Sequence, residues 1–110
     1  MLGKTEELVL LAAHKSGSRS TASEIFAVID ETLSKTEGKS VAFGAIFTTL
    51  ERLAKKGLLK FEKDLPREDY GGRSPRLYSL SADGATELSS SLKVTQSLSR
   101  HFGNSRPLAV

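Results

Sequence analysis

Cysteine is absent from the 110-residue chain, and histidine is scarce. Without cysteine there are no disulfide bonds, no thiolate zinc sites and no cysteine nucleophile. The two histidines, His14 and His101, are not part of an H-E-x-x-H motif, and no phosphate-binding loop or G-x-S-x-G motif is present. We therefore predict that the protein is not an enzyme and holds no metal or cofactor.

Long hydrophobic runs are also missing. The N-terminal stretch "MLGKTEELVLLAAHK" has acidic residues directly before its apolar part and lacks a small-residue cleavage site. Its apolar run is far shorter than the roughly 20 residues that span a membrane. We expect a cytoplasmic protein that has no membrane partner.

Neither sign of charge dominates, since 16 Lys and Arg oppose 13 Asp and Glu for a formal net charge of +3. This balance permits a polyanionic partner but does not require one. The length and the 38% hydrophobic content fit one domain with one modest core.

Helical patterns begin near the N-terminus. From about Lys4 to Lys15 nearly every residue is a strong helix former, and apolar residues cover most of the surface. Thr21 and Glu24 form a T-x-x-E capping box that opens a second, amphipathic helix running to about Lys35.

A third helix is predicted from a cap at Ser40 to Gly57, which occupies the left-handed position after the helix. Its apolar stripe consists of Phe43, Ile46, Phe47, Leu50, Leu53 and Ala54. "LLKFEKD" and "RLYSL" then predict an antiparallel hairpin around a polar loop, and Ser81 caps a last helix. The stripe of this last helix is weak and comprises Ala85, Leu88, Leu92, Thr95 and Phe102, with Leu98 at its edge.

Three helices, a hairpin with a long loop and a further helix are the element order of a winged helix-turn-helix. We predict a mainly α fold with a small β-hairpin (α+β). Residues 1–84 would form a DNA-binding winged-helix domain, 85–102 a C-terminal dimerisation helix and 103–110 a flexible tail.

The loop of the hairpin would be the wing. It contains Gly71 and Gly72, which allow close approach, and Arg73 and Arg76, which suit phosphates or the minor groove. The acids of this region nearly balance its bases, so a solvated loop remains the alternative; these acids are Glu62, Asp64, Glu68 and Asp69.

The outward face predicted for the third helix is small and uncharged in its first turns, which suits a helix that approaches a major-groove floor. It comprises Val41, Gly44, Ala45 and Thr48, followed by Arg52 and Lys55, and Lys39 and Ser40 at the helix start complete the predicted DNA-binding set. Alternatively, this face packs on the body of the domain or on another protein.

Apolar residues off the main stripe of the first helix, and apolar residues of the last helix that have no obvious core of their own, predict a homodimer, which would double the contacts to double-stranded DNA. The predicted dimerisation residues are Val9, Leu10 and Ala13 of the first helix and Leu88, Leu92, Leu98 and Phe102 of the last.

The stretches "GAIFTTLERLAKKGLLKFE" and "GGRSPRLYSLSADGATEL" resemble the PadR family of transcriptional regulators over about residues 6–88. Gly44, Leu50, Arg52, Gly57 and Leu58 match the pattern G-x-L-Y-x-x-L-x-R-L-x-x-x-G-L-L, whereas Phe47 replaces its tyrosine and Ser74 lengthens the G-R-P of the wing. The resemblance implies a winged-helix, DNA-binding, dimeric, repressor-like regulator whose C-terminal helix dimerises. A winged helix that binds protein instead of DNA is the alternative.

Overall fold

The computed structural model describes residues 2–105. These residues form four α-helices and a two-stranded hairpin, which confirms the predicted fold class. In chain order the elements are α1 (Lys4–Ser16), α2 (Ala22–Glu37), α3 (Phe43–Lys55), β1 (Leu59–Lys63), a 3-10 turn (Glu68–Tyr70), β2 (Arg76–Leu80) and α4 (Ala82–Ser105). None of the helices in this range is long and apolar enough to cross a membrane.

The core lies where α1 is enclosed by α2, α3, β2 and α4. The strands of the hairpin pair antiparallel, from Leu59 opposite Leu80 to Lys63 opposite Arg76. The hairpin is also tied to the connection between α1 and α2, because Ser20 N donates to Tyr78 O (3.0 Å) and Tyr78 N to Ser20 O (2.7 Å). The wing therefore extends from a base that is fixed to the helical body.

Short sequence motifs predicted several helix ends correctly. Glu24 N donates to Thr21 Oγ1 (3.2 Å) and Thr21 N to Glu24 Oε1 (2.8 Å), so the capping box of α2 is confirmed. Gly57 adopts the predicted left-handed conformation (φ 81°) after α3. The N–H of Gly57 donates to Ala54 O (3.1 Å) and that of Leu58 to Leu53 O (3.0 Å), which is a Schellman ending.

The predicted start of α3 was wrong. The helix begins at Phe43 and the residue before it, Ala42, gives no side-chain cap, so Ser40 is too far upstream to serve as one. Val41 precedes the helix and packs, half-buried, against the core instead of lining the outward face. Phe43 was expected in the core stripe but is 42% exposed.

Helix α4 docks on the turn after α3 through Ser81. Its hydroxyl accepts from Gly84 N (2.9 Å), which confirms the predicted cap, and donates to Gly57 O (2.6 Å). The helix continues to Ser105, so residues 103–105 of the predicted tail are helical. The rest of that tail, 106–110, lies outside the described residues.

The dimerisation surface predicted for α1 was wrong, because Val9, Leu10 and Ala13 have 0% exposure within the core of their own chain. Leu88 of α4 is also a core residue, and Leu92 packs against the core. The exposed apolar residues of α4 lie farther along the helix: Val94 (45%), Leu98 (73%) and Phe102 (67%).

Candidate nucleic-acid interface

The outward face of α3 is exposed and small in its first turns. Gly44, Ala45 and Thr48 all face solvent, and a Cβ built at Gly44 would meet no heavy atom within 4 Å. The alternative that this face packs on the body of the domain is therefore wrong. The side chains impose little bulk, so this part of the helix can approach a flat partner closely.

Beyond these turns, α3 and the hairpin form the two walls of an open cleft of about 630 Å³. The cleft brings together four of the predicted DNA-binding residues, Thr48, Arg52, Lys55 and Arg76. Sequence reasoning missed three others that line it, Glu51, Ala54 and Phe61. The spacing held the signal for Glu51 and Phe61, since Glu51 follows Thr48 by three helical residues and Phe61 shares a strand face with Lys63.

Arg76 lies between the hairpin and α3. Its guanidinium carbon is 4.5 Å from the centroid of the Phe61 ring, and its Nη1 is 4.0 Å from Glu51 Oε2. Phe61 also contacts the buried ring of Tyr78, with the centroids 5.8 Å apart. The arginine therefore rests on an aromatic ring that the core supports.

The wing, residues 64–75, is an ordered loop. Asp64 N donates to Pro75 O (2.8 Å) and Arg67 N to Arg73 O (3.1 Å), so the two arms of the loop stay together. Gly71 and Gly72 have φ values of 63° and 79°, which side chains other than glycine rarely adopt. The glycines of "GGRSPR" thus serve the turn itself.

Charge pairing within the wing distinguishes Arg67, which is paired with acids, from Arg73. Arg67 Nε and Nη2 donate to the carboxylate of Asp69 at 3.2 and 3.1 Å, and Asp64 lies 3.7 Å from Arg67 Nη1. The hydrogen bond to Asp69 raises the pKa of Arg67. Arg73, in contrast, is exposed and forms no ion pair within residues 2–105. The acids thus neutralise Arg67 and leave Arg73 available to a polyanion.

Two further predicted residues lie outside the cleft. Lys39 and Ser40 are exposed in the connection between α2 and α3, and Lys39 Nζ is 3.6 Å from a carboxylate oxygen of Glu37. Across the described part of the chain, no three His, Asp or Glu side chains are grouped so that they could hold a metal ion.

An ion pair between a half-exposed lysine and a nearly buried carboxylate holds the end of α3 against α1. Lys56 Nζ donates to Glu6 Oε2 at 2.7 Å, and Glu6 is 9% exposed. This hydrogen bond, together with one from Gly3 N, lowers the pKa of Glu6 despite its burial. The position of α3 relative to the body thus depends on a charged contact as well as on the core.

The arrangement of an exposed third helix beside a wing defines a winged helix-turn-helix. No protein-family profile and no curated protein sequence matches this chain. Solved structures of PadR-type transcriptional regulators do match it in fold.

A PadR-like transcription factor from Bacteroides fragilis superposes with a TM-score of 0.67 at 23% identity, covering 92% of this chain and 88% of that one. A PadR-like transcriptional regulator from Bacillus cereus gives a TM-score of 0.68 at 17% identity, covering 94% and 92%. Bacillus subtilis PadR, solved in complex with operator DNA, gives 0.65 at 21% identity over 79% of this chain, which spans 46% of that protein. The chain has the winged-helix fold of PadR-type regulators.

Proposed function

We propose that the protein is a sequence-specific DNA-binding transcriptional regulator, a repressor of the PadR type that acts as a homodimer. One observation carries the proposal: the small exposed face of α3 continues into a cleft that holds Arg52, Lys55 and Arg76. The fold supports it, because one structure with the same fold was solved on operator DNA.

In this proposal α3 enters the major groove. Gly44 and Ala45 allow close approach, and the hydroxyl of Thr48 reaches a base edge. Arg52 and Lys55, about one and two turns farther along, contact the phosphates that border the groove. Arg73 of the wing contacts the backbone or the adjacent minor groove.

The proposed dimer uses α4 beyond the core. Val94, Leu98 and Phe102 are spaced by four residues and thus share one face of the helix. A second apolar surface, a shallow groove of about 220 Å³ between α1 and α2, is lined by Leu8 and Leu11 among others. Pairing through these surfaces would present two recognition helices to half-sites about one duplex turn, or a multiple of it, apart.

Selection of genomic fragments with the purified full-length chain tests this function. We expect enrichment of a two-fold symmetric sequence, and binding that weakens steeply with salt because phosphate contacts release counterions. No enrichment and an affinity for DNA that hardly changes with salt would favour the alternative, a module that binds protein. A DNA-binding regulator works where the chromosome is, so a cytoplasmic location follows from this proposal.

A further inference from the structure

Glu51 is the only acidic residue that lines the cleft between α3 and the hairpin in the described part of the chain. It lies among the residues proposed to meet DNA, where a carboxylate would repel phosphates. Its carboxylate is instead directed at Arg76, with Oε2 at 4.0 Å from Nη1. An acid in this position needs an explanation that a simple phosphate-binding cleft does not provide.

The pair is exposed and thus exchangeable. The side chains of Arg76 and Glu51 are 41% and 50% exposed, so solvent screens their attraction. Glu51 stays 4.0 Å from Arg76, which is beyond hydrogen-bond distance. A phosphate at the guanidinium can make a bidentate contact with two hydrogen bonds, as a closer carboxylate also could. A DNA phosphate in such a contact would therefore bind Arg76 more strongly than Glu51 does at its present distance.

Phe61 gives Arg76 a fixed position whichever anion it meets. The guanidinium lies over the ring at 4.5 Å from the centroid, and the ring itself is backed by Tyr78, which is 1% exposed. Phe61, Tyr78 and Arg76 lie on the same face of the hairpin, because Phe61 pairs with Tyr78 and Arg76 lies two residues before Tyr78.

We propose that Glu51 and Phe61 make Arg76 a partner-exchange site, in which a DNA phosphate displaces the Glu51 carboxylate while Phe61 holds the guanidinium in place. This inference rests on the proposed function. Phe61 is then a positioning residue for DNA contact. Glu51 imposes a cost on every duplex, which limits binding to sites where the other contacts are good.

The first test is Glu51→Gln, measured by duplex binding at several salt concentrations. We expect about two- to fivefold tighter binding to both the selected operator and a scrambled duplex, as expected for loss of one exposed ion pair. The salt slope should steepen, because the wild-type carboxylate takes up a cation when DNA displaces it and this offsets part of the counterion release. Glu87→Gln is the matched control, since it makes the same charge change at an exposed α4 residue that does not line the cleft.

The second test is a double-mutant cycle between Phe61→Leu and Arg76→Gln. Phe61→Leu should weaken binding about two- to fivefold in the wild-type background, as loss of an exposed cation–π contact predicts, and not at all when Arg76 is already Gln. Phe61→Tyr keeps the aromatic ring and should bind DNA as tightly as the wild type. Equal losses in both backgrounds would show that Phe61 only supports the fold.

The outcomes separate the two proposals. If the wild-type protein binds DNA but Glu51→Gln binds no more tightly than Glu87→Gln, the exchange at Arg76 is wrong and the regulator function stands. If Glu51→Gln loses affinity for the operator alone, Glu51 reads a base directly and the exchange is also wrong. A wild-type protein without affinity for any duplex overturns both proposals.

Discussion

Lys56 at the end of α3 donates a hydrogen bond to the nearly buried carboxylate of Glu6 in α1, with 2.7 Å between Nζ and Oε2. The contact joins residues 50 positions apart in the chain and holds the C-terminal end of α3 against α1. Because the pKa of Glu6 is lowered in the folded state, the contact makes stability depend on pH.

Glu6→Gln should lower the free energy of unfolding by about 1 kcal/mol at pH 7. The effect is modest because Lys56 is half-exposed, so that solvent screens its attraction to Glu6. The contribution of a carboxyl with a lowered pKa is complete above its ordinary value of 4.5 and is lost as the pH falls through the folded-state pKa. Urea unfolding at pH 7 and pH 3 should therefore show a gap between wild type and variant that narrows in acid. Glu31→Gln, in an exposed pair with Lys35, is the control and should have little effect at either pH.

Gly84→Ala should destabilise the protein by about 3 kcal/mol or more, the upper range for overpacking. A Cβ at Gly84 would lie 1.9 Å from the carbonyl oxygen of Leu58, so the start of α4 would have to move. Gly44→Ala is the matched control, since a Cβ there meets nothing within 4 Å and alanine favours the helix. Thermal melts that show the same loss for both variants would contradict this account.

Arg73→Ala should weaken binding to all duplexes similarly and flatten the salt slope by about one unit, as expected for one lost phosphate contact. Arg67→Ala should have a smaller effect on DNA, because Arg67 is already paired with Asp69. Titrations at several salt concentrations measure both. If Arg73→Ala leaves the affinity and the salt slope unchanged, the wing is a solvated loop that does not contact DNA.

Ala45→Glu and Thr48→Ala test the face of α3. Ala45→Glu should abolish DNA binding, because the introduced carboxylate would lie near phosphates. The melting temperature should not change, because Ala45 is exposed. Thr48→Ala should cost about 1 to 3 kcal/mol on the selected operator and little on a scrambled duplex. Equal losses on both duplexes would make Thr48 a positioning contact, and no loss for either variant would show that α3 does not meet DNA.

Leu98→Glu should convert the proposed dimer to a monomer with much weaker operator binding, because it places a charge on the exposed apolar face of α4 without touching the core. Gln96→Glu adds the same charge on the opposite side of the helix and should leave the dimer intact. Sedimentation of both variants and of the wild type measures the association. A wild-type chain that is monomeric at micromolar concentration would contradict the proposed dimer.

The order of the elements could be predicted from the sequence because its signals are local. The capping box of Thr21 and Glu24 and the Schellman glycine at Gly57 act within a few residues, and the aliphatic and aromatic content of "LLKFEKD" and "RLYSL" is a property of each strand. Even so, the start of α3 was misplaced, because Ser40 looked like a cap in the sequence, whereas the backbone becomes helical only after Ala42, which has no capping side chain.

The tertiary structure decided which surfaces are free. Helix α1 is apolar around most of its circumference, so its sequence has no polar face to mark the outside; α2, α3, β2 and α4 enclose it and place Val9 and Leu10 in the core. The structure also decided which charges of the wing are free, since Asp69 neutralises Arg67 while Arg73 stays exposed. The contact of Arg76 with Glu51 and Phe61 also depends on packing, because it joins β2 to α3 and β1 across a distance in sequence that no local pattern records.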